Sequence, residues 1–198
     1  MLFKQPQFTI PVSHQSGSSE WWTPPLYADK AREVMGRIDL DPASCAGANE
    51  NIRATQFYDI STNGLVQIWF GCIWMNPPYT RSGIQGKFVQ KLMDEYKADR
   101  VEQAIVLLNA NSIASTWFTP LHDFPMCIKR SPRIEFIPAI ERQIEDPKHP
   151  GNDNVFVYLG PNIDRFVKIF EAVGPVLTRT KIFSSIRQQQ ENAAERTA

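Results

Sequence analysis

Three features are scarce in this 198-residue chain, and each scarcity excludes a class of protein. Cysteine is the first, with only Cys45, Cys72 and Cys127, far apart. They form neither a disulfide framework nor the paired spacing of zinc ligands, so a reducing compartment is expected. Cys72 lies in an apolar run and reads as a core residue. An excess charge of one sign is also missing, since 21 basic and 21 acidic residues give a formal net charge of zero. A protein held to nucleic acid mainly through phosphates is more basic, so any such affinity should be modest or confined to a local patch. Long apolar runs are the third absence. None spans a bilayer, and the N-terminus has no signal-peptide pattern, so a soluble intracellular protein without membrane contact is expected. No internal repeat and no metal-ligand cluster is visible. His14 and His149 read as solvated loop side chains.

What is present centres on Gly71-Cys72-Ile73-Trp74-Met75-Asn76-Pro77-Pro78-Tyr79. The first half reads as a buried strand that stops at two prolines. The second half has a chemical reading. The Asn76 side-chain oxygen and the Pro77 carbonyl are two acceptors with little freedom, in a corner that cannot continue as a strand. Two fixed acceptors suit an exocyclic amino group. Bonds to both of its protons keep the nitrogen lone pair from delocalising into a ring, so it can attack an electrophile. Tyr79 offers a flat face for a base. A proline-terminated strand with a core tyrosine is the competing reading, and these four residues leave both open.

The remaining chain reads in order. Residues 1–19 are polar and form an expected flexible arm. Thr23 is placed as a helix N-cap, with Pro24 as the first helical residue and Gly36 as the stop. Ile38 and Leu40 alternate with Asp39 and Asp41, so a short strand should end at Pro42. Carboxylates at such a strand end are placed for a ligand, with Asp41 as a turn residue the alternative. A small-residue loop over 45–49 lets a ligand approach the backbone, before a helix over 49–54. Further strands are predicted over 68–75, 103–109, 126–129, 133–137 and 155–159, with a last one starting at Val176. Helices are predicted over 85–98 and from Ile163 to a stop near Gly174, and a short one containing Trp117 and Phe118. Residues 138–154 read as a long surface loop and the tail from 184 as polar.

Alternating strands and helices predict an α/β domain over 20–183, with a mostly parallel sheet and helices on both faces. Its ligand should sit beyond the carboxyl ends of the strands.

Four segments taken together resemble one family. Glu20-Trp21-Trp22-Thr23-Pro24, Ile38-Asp39-Leu40-Asp41-Pro42-Ala43-Ser44, Asn76-Pro77-Pro78-Tyr79 and Arg133-Ile134-Glu135-Phe136 are similar to motifs of the phage-type DNA N-6-adenine methyltransferases. The resemblance covers roughly residues 20–160. It implies a Rossmann-like methyltransferase fold, S-adenosylmethionine as cofactor, and transfer of a methyl group to the amino nitrogen of a flipped-out adenine in DNA. Asn76 and Pro77 would orient the amine, Pro78 would stiffen the corner, and Tyr79 would stack on the base. Trp22, Thr23, Asp39, Asp41, Pro42 and Ser44 would bind the cofactor. Trp117 and Phe136 are candidate second walls of the base pocket. No metal is implied. A monomer is assumed, in the cytoplasm of a bacterial host and encoded by phage or prophage, with restriction-modification as a setting and either host DNA marking or restriction evasion as the role.

The chain departs from the broader methyltransferase pattern in lacking a glycine-rich cofactor loop. The Ile38–Pro42 segment stands either for that loop or for an acidic strand end. The same absence counts against a protein glutamine methyltransferase, which shares the Asn-Pro-Pro-Tyr corner. A non-catalytic nucleic-acid-binding module of the same fold is disfavoured by the intact corner and by the absence of a basic stripe.

Overall fold

The computed structural model describes residues 21–79, 83–138 and 152–178. The N-terminal arm with His14, the loop tip at 80–82, most of the 138–154 loop with His149, and the C-terminal tail lie outside them.

The first short strand, β1 (Trp21–Trp22), leads into helix α1 (Pro25–Met35). Tyr27, Ala28, Ala31, Val34 and Met35 bury one face of α1. Gly36 ends it at φ 86°, with its N–H on the Arg32 carbonyl, as the sequence predicts. The start differs from the prediction. Pro24 is the N-cap, no side chain caps the helix, and Thr23 stands one residue further out.

Strand β2 (Leu40–Asp41), helix α2 (Ala46–Ile52), strand β3 (Gln56–Phe57) and strand β4 (Gly71–Met75) follow. The residues expected to be a loop over 45–49 begin α2 instead, because the Cys45 thiol caps the N–H of Ala48. Helix α3 (Ile84–Lys97) then leads to the long strand β5 (Val101–Asn109). After a 3-10 turn at Thr116–Leu121 come β6 (Met126–Lys129), β7 (Ile137–Pro138), β8 (Asn154–Leu159), helix α4 (Ile163–Phe170) and β9 (Val176–Leu177). The strand predicted over 133–137 shrinks to β7, which among the described residues pairs only with β1. Ile134 and Phe136 are buried in the core instead of joining the main sheet.

Among the described residues, seven strands form that sheet in the order β3-β2-β4-β5-β8-β6-β9. Their side chains alternate between two cores with the strand period of two. Cys72, Trp74, Ile105, Leu107, Phe156 and Tyr158 pack with α1 and α4 on one face. Ile73, Met75, Val106, Leu108, Val155 and Val157 pack with α3 and the 3-10 turn on the other.

The sheet is mixed, which corrects the expectation of a mostly parallel one. The pairings from β3 through β2 and β4 to β5 are parallel. Those from β5 through β8 and β6 to β9 are antiparallel. Parallel pairing occurs where α2 and α3 carry the chain back across the sheet. Among the described residues no helix separates β6 from β8, and β8 enters antiparallel between β5 and β6.

The amino end of β4 is fixed by a close fit. Gly71 has φ +67°, and a Cβ there would lie 2.2 Å from Asp39 Oδ2. That carboxylate accepts the Cys72 N–H at 2.8 Å. It also takes both contacts from Arg37 Nε, at 3.0 and 2.8 Å. Gly71→Ala should therefore strain the backbone and expel Asp39 from this position, lowering stability by about 2 kcal/mol or more. Urea unfolding measures this, and an unchanged midpoint would mean that the strand start tolerates a side chain.

Candidate active site at the carboxyl edge of the sheet

β2 and β4 are neighbours, with Leu40 opposite Ile73, so their carboxyl ends lie side by side. One chain end delivers Asp41 and the other Asn76. Thr23, just before α1, reaches the same place. Asn76 Nδ2 donates to Thr23 Oγ1 at 3.1 Å. Thr23 is buried, and its hydroxyl holds the asparagine amide instead of capping a helix.

This contact leaves the other end of the amide exceptional. Asn76 Oδ1 is buried and has no hydrogen-bond partner among the described residues. A buried acceptor without a donor costs roughly 1–3 kcal/mol, so its presence calls for an explanation. The next residues build a corner around it. Pro77 is buried, and Pro78 and Tyr79 are exposed. The Tyr79 residue is 39% exposed, yet its hydroxyl tip is buried and donates to the Leu107 carbonyl at 3.4 Å. Burial of that tip raises the phenol pKa, a rise reduced by a hydrogen bond from the Asn154 side chain. The ring is thus anchored at its far end with part of its surface open.

Asp41 is a buried acid, 3% exposed. Its Oδ1 accepts the Ala43 N–H at 3.1 Å. Burial pushes the carboxyl up to about 7, against the opposing effect of the bonds from Ala43 and the Ser44 hydroxyl. Pro42 is buried, with its carbonyl against Gly64. Ser44 is half-buried.

Two indoles border this end. The ring of Trp22 lies so close to Gly47 that a Cβ there would meet it at 2.5 Å. The small residues after Asp41 therefore admit the Trp22 ring to the backbone of α2. Trp22 Nε1 and Trp74 Nε1 are both buried without a partner among the described residues. Trp74 follows Ile73, so it stands beside Asp41 in the β2–β4 register.

Three expected site residues are not brought here. Asp39 is at the amino end of the strands, where its N–H donates to the Cys72 carbonyl at 2.8 Å and its carboxylate serves Cys72 and Arg37. It lies about four residues, or roughly 13 Å of strand, from the level of Asn76. Phe136 is 3% exposed and belongs to the core under α1 and α4, so its ring offers no pocket wall. Trp117 is half-buried against the first turn of α3, where a Cβ on Gly86 would meet it at 3.0 Å. It packs on Phe118 with ring centroids 5.9 Å apart, on the opposite face of the sheet from Trp74.

Some residues at this edge escaped the sequence reading. Asn154, at the end of the expected 138–154 loop, starts β8 instead, 2% exposed, opposite both Asn109 and Lys129. An asparagine before the apolar run Val155–Leu159, matched by Asn109 at the end of another, was the available signal. The Trp74 indole N–H looks like ordinary core in sequence. Gln85, in the first turn of α3, has a buried Nε2 without a partner among the described residues. No group of three or more metal-ligating side chains occurs among the described residues. No helix there is long and apolar enough to cross a membrane.

A family model described as DNA N-6-adenine-methyltransferase (Dam) matches residues 13–161. A protein of Escherichia phage T1 named "DNA N-6-adenine-methyltransferase" is 33% identical over 102 residues, which is 50% of this chain and 39% of that protein. The match thus spans well under half of the relative's length.

The buried Asp41 has a direct consequence for stability. An aspartate in an unfolded chain titrates near 3.9. With its folded value raised to about 7, the folded chain binds this proton more tightly. The stabilisation is full below about pH 4 and is lost as pH rises through about 7. Asp41→Asn should flatten the fall in thermal midpoint between pH 5 and pH 8 that the native chain shows, to the order of magnitude of that shift. Superimposable pH profiles for the two proteins would mean that Asp41 is ionised throughout.

Proposed function

Since the chain belongs to the DNA N-6-adenine-methyltransferase family, we propose that it methylates the amino nitrogen of adenine in DNA, using S-adenosylmethionine. One observation carries this reading: the Asn76 amide oxygen is buried, held in place from behind by Thr23, and lacks a donor among the described residues. An adenine amino group supplies that donor. Asn76 Oδ1 accepts one amine proton and the Pro77 carbonyl accepts the other. The amine nitrogen then keeps its lone pair out of the purine ring. Positive charge grows on that nitrogen as it reacts, so both acceptors bind the transition state better than the ground state.

Reaching the amine of a paired adenine requires turning the base out of the stack. The exposed part of the Tyr79 ring receives it, and the hydroxyl anchor to Leu107 limits how far that ring moves. Pro77 and Pro78 remove backbone N–H groups from the corner, so it presents acceptors to the base.

The residues present fit the cofactor. Beside Asn76 stand a buried carboxylate, Asp41, and two buried indole N–H groups without partners among the described residues, those of Trp22 and Trp74. Asp41 would accept from hydroxyl groups of the cofactor, Trp22 and Trp74 would donate, and Ser44 would hold Asp41 in orientation. S-adenosylmethionine, when bound, supplies an electrophilic methyl group. The roles at first expected of Thr23 and Asp39 pass to positioning Asn76 and fixing the start of β4.

The experiment is single-turnover methylation with labelled S-adenosylmethionine and separate DNA, RNA and protein substrates. Label should enter adenine in DNA. Asn76→Ala should lose about 10²–10³ in rate, by analogy with the loss of one preorganised donor at an oxyanion. Its thermal midpoint and cofactor affinity should stay close to those of the native chain, and Asn76→Asp should keep more activity. A stable Asn76→Ala protein that methylates DNA at the native rate would end the assignment, as would label found only in protein glutamine.

A further inference from the structure

We infer that Arg130 and Arg133 form a clamp for a backbone phosphate of the DNA strand, with Asp153 holding the two guanidinium groups until phosphate displaces it. This rests on DNA being the substrate.

Strand direction places the three residues. β8 runs antiparallel to both β5 and β6, so β5 and β6 point the same way. Arg130 is the first residue after β6 and therefore lies at the carboxyl edge, as Asn76 does after β4. Asp153 directly precedes β8 and is at the same edge, its carbonyl accepting the Ala110 N–H at 2.9 Å. β6 is three strand positions from β4 in the sheet. At ~4.8 Å per position, the cleft is roughly 14 Å from the Asn76 corner. That equals about four base steps of 3.4 Å, a distance at which a strand entering the base site still crosses this edge.

The chemistry of the cleft suits one phosphodiester. Arg130, Ser131, Arg133 and Asp153 line an open cleft of about 370 Å³. Arg130 Nε donates to Asp153 Oδ2 at 3.3 Å, and Arg133 Nε donates to Asp153 Oδ1 at 3.2 Å. Two cations thus share one carboxylate, leaving a local charge of plus one on a chain whose net charge is zero. Both contacts are longer than the 2.7–2.9 Å of tight charged hydrogen bonds. The arginine side chains are 75% and 56% exposed. Exposed ion pairs of this kind contribute little to stability, so the fold does not need these two to stay made. Each contact uses only the Nε of a guanidinium group, whose planar fork matches phosphate oxygens. A neutral protein that binds DNA needs its phosphate contacts gathered somewhere, and this is a cationic cleft beside the base site.

Duplex binding measured across a range of chloride concentrations tests the clamp. The logarithm of affinity should fall linearly with the logarithm of salt. Arg130→Gln and Arg133→Gln should each reduce the slope by about one, and the double variant by about two, with thermal midpoints unchanged. Asp153→Asn should bind duplex more tightly, because the competing carboxylate is gone. Inorganic phosphate, which offers the forks the same oxygens, should displace DNA better than chloride at matched ionic strength, and the double variant should lose that preference. Equal displacement of DNA by phosphate and by chloride from the native chain would overturn the clamp. An unchanged slope in the double variant, while the native chain still methylates DNA, would overturn the clamp alone. A native chain that binds no duplex would overturn both the clamp and the proposed substrate.

Discussion

The hydrogen bond from Asn76 Nδ2 to Thr23 Oγ1 determines what the carboxyl edge can do. It uses the donor end of the amide and leaves the acceptor end buried and unpartnered among the described residues. A free asparagine rotates and presents either end. With its nitrogen on Thr23 Oγ1, the amide here presents its oxygen. An amine-binding corner needs this commitment before substrate arrives, because reorganising a dipole during the reaction removes much of its benefit. Thr23 is itself held by what surrounds it: Trp22 pairs with Ile137 across the β1–β7 ribbon, and Pro24 is the N-cap of α1.

The sheet brings this edge together. Alternation of side chains along β4, β5 and β8 seals two cores, and the register between β2 and β4 sets Asp41 beside the end of β4. The antiparallel half is not incidental to the site. Because β8 runs down between β5 and β6, its amino end brings Asn154 to the Tyr79 hydroxyl and Asp153 to Arg130 and Arg133. A wholly parallel sheet would have put the other end of that strand here.

Elements written in local pattern were legible in the sequence. β5 is a continuous apolar run, α3 and α4 show helical spacing, and Gly36 marks a helix stop. The end of β4 at Asn76 was legible because Pro77 and Pro78 cannot continue a strand, whereas the chemical reading of the corner needed the other three segments beside it. What was hidden depends on pairing between distant segments. Thr23 before two prolines looks like a cap, but its partner lies 53 residues on. Asp39 and Asp41 are two apart, so alternation puts them on one face without saying which lies nearer the Asn76 end. Only the bonds of Asp39 to Cys72 show that it belongs to the opposite end. Phe136 follows a charged residue and looks available, but the ribbon formed by the next two residues draws it into the core. The direction of β8 could not be read either, since no local signal in Val155–Leu159 separates a parallel strand from an antiparallel one.

The most direct test leaves Asn76 intact and alters only what holds it. Thr23→Ser keeps a hydroxyl acceptor and Thr23→Val removes it at nearly constant volume. Single-turnover methylation of DNA is measured alongside thermal midpoint and cofactor affinity. With Oδ1 oriented by Thr23, the serine variant should retain most of the rate. The valine variant should lose about tenfold or more, the scale of one net hydrogen bond of roughly 1.4 kcal/mol, with cofactor affinity retained. A valine variant that methylates as fast as the native chain would show that the amide needs no such anchor, and would contradict the assignment of Asn76 as a preorganised acceptor.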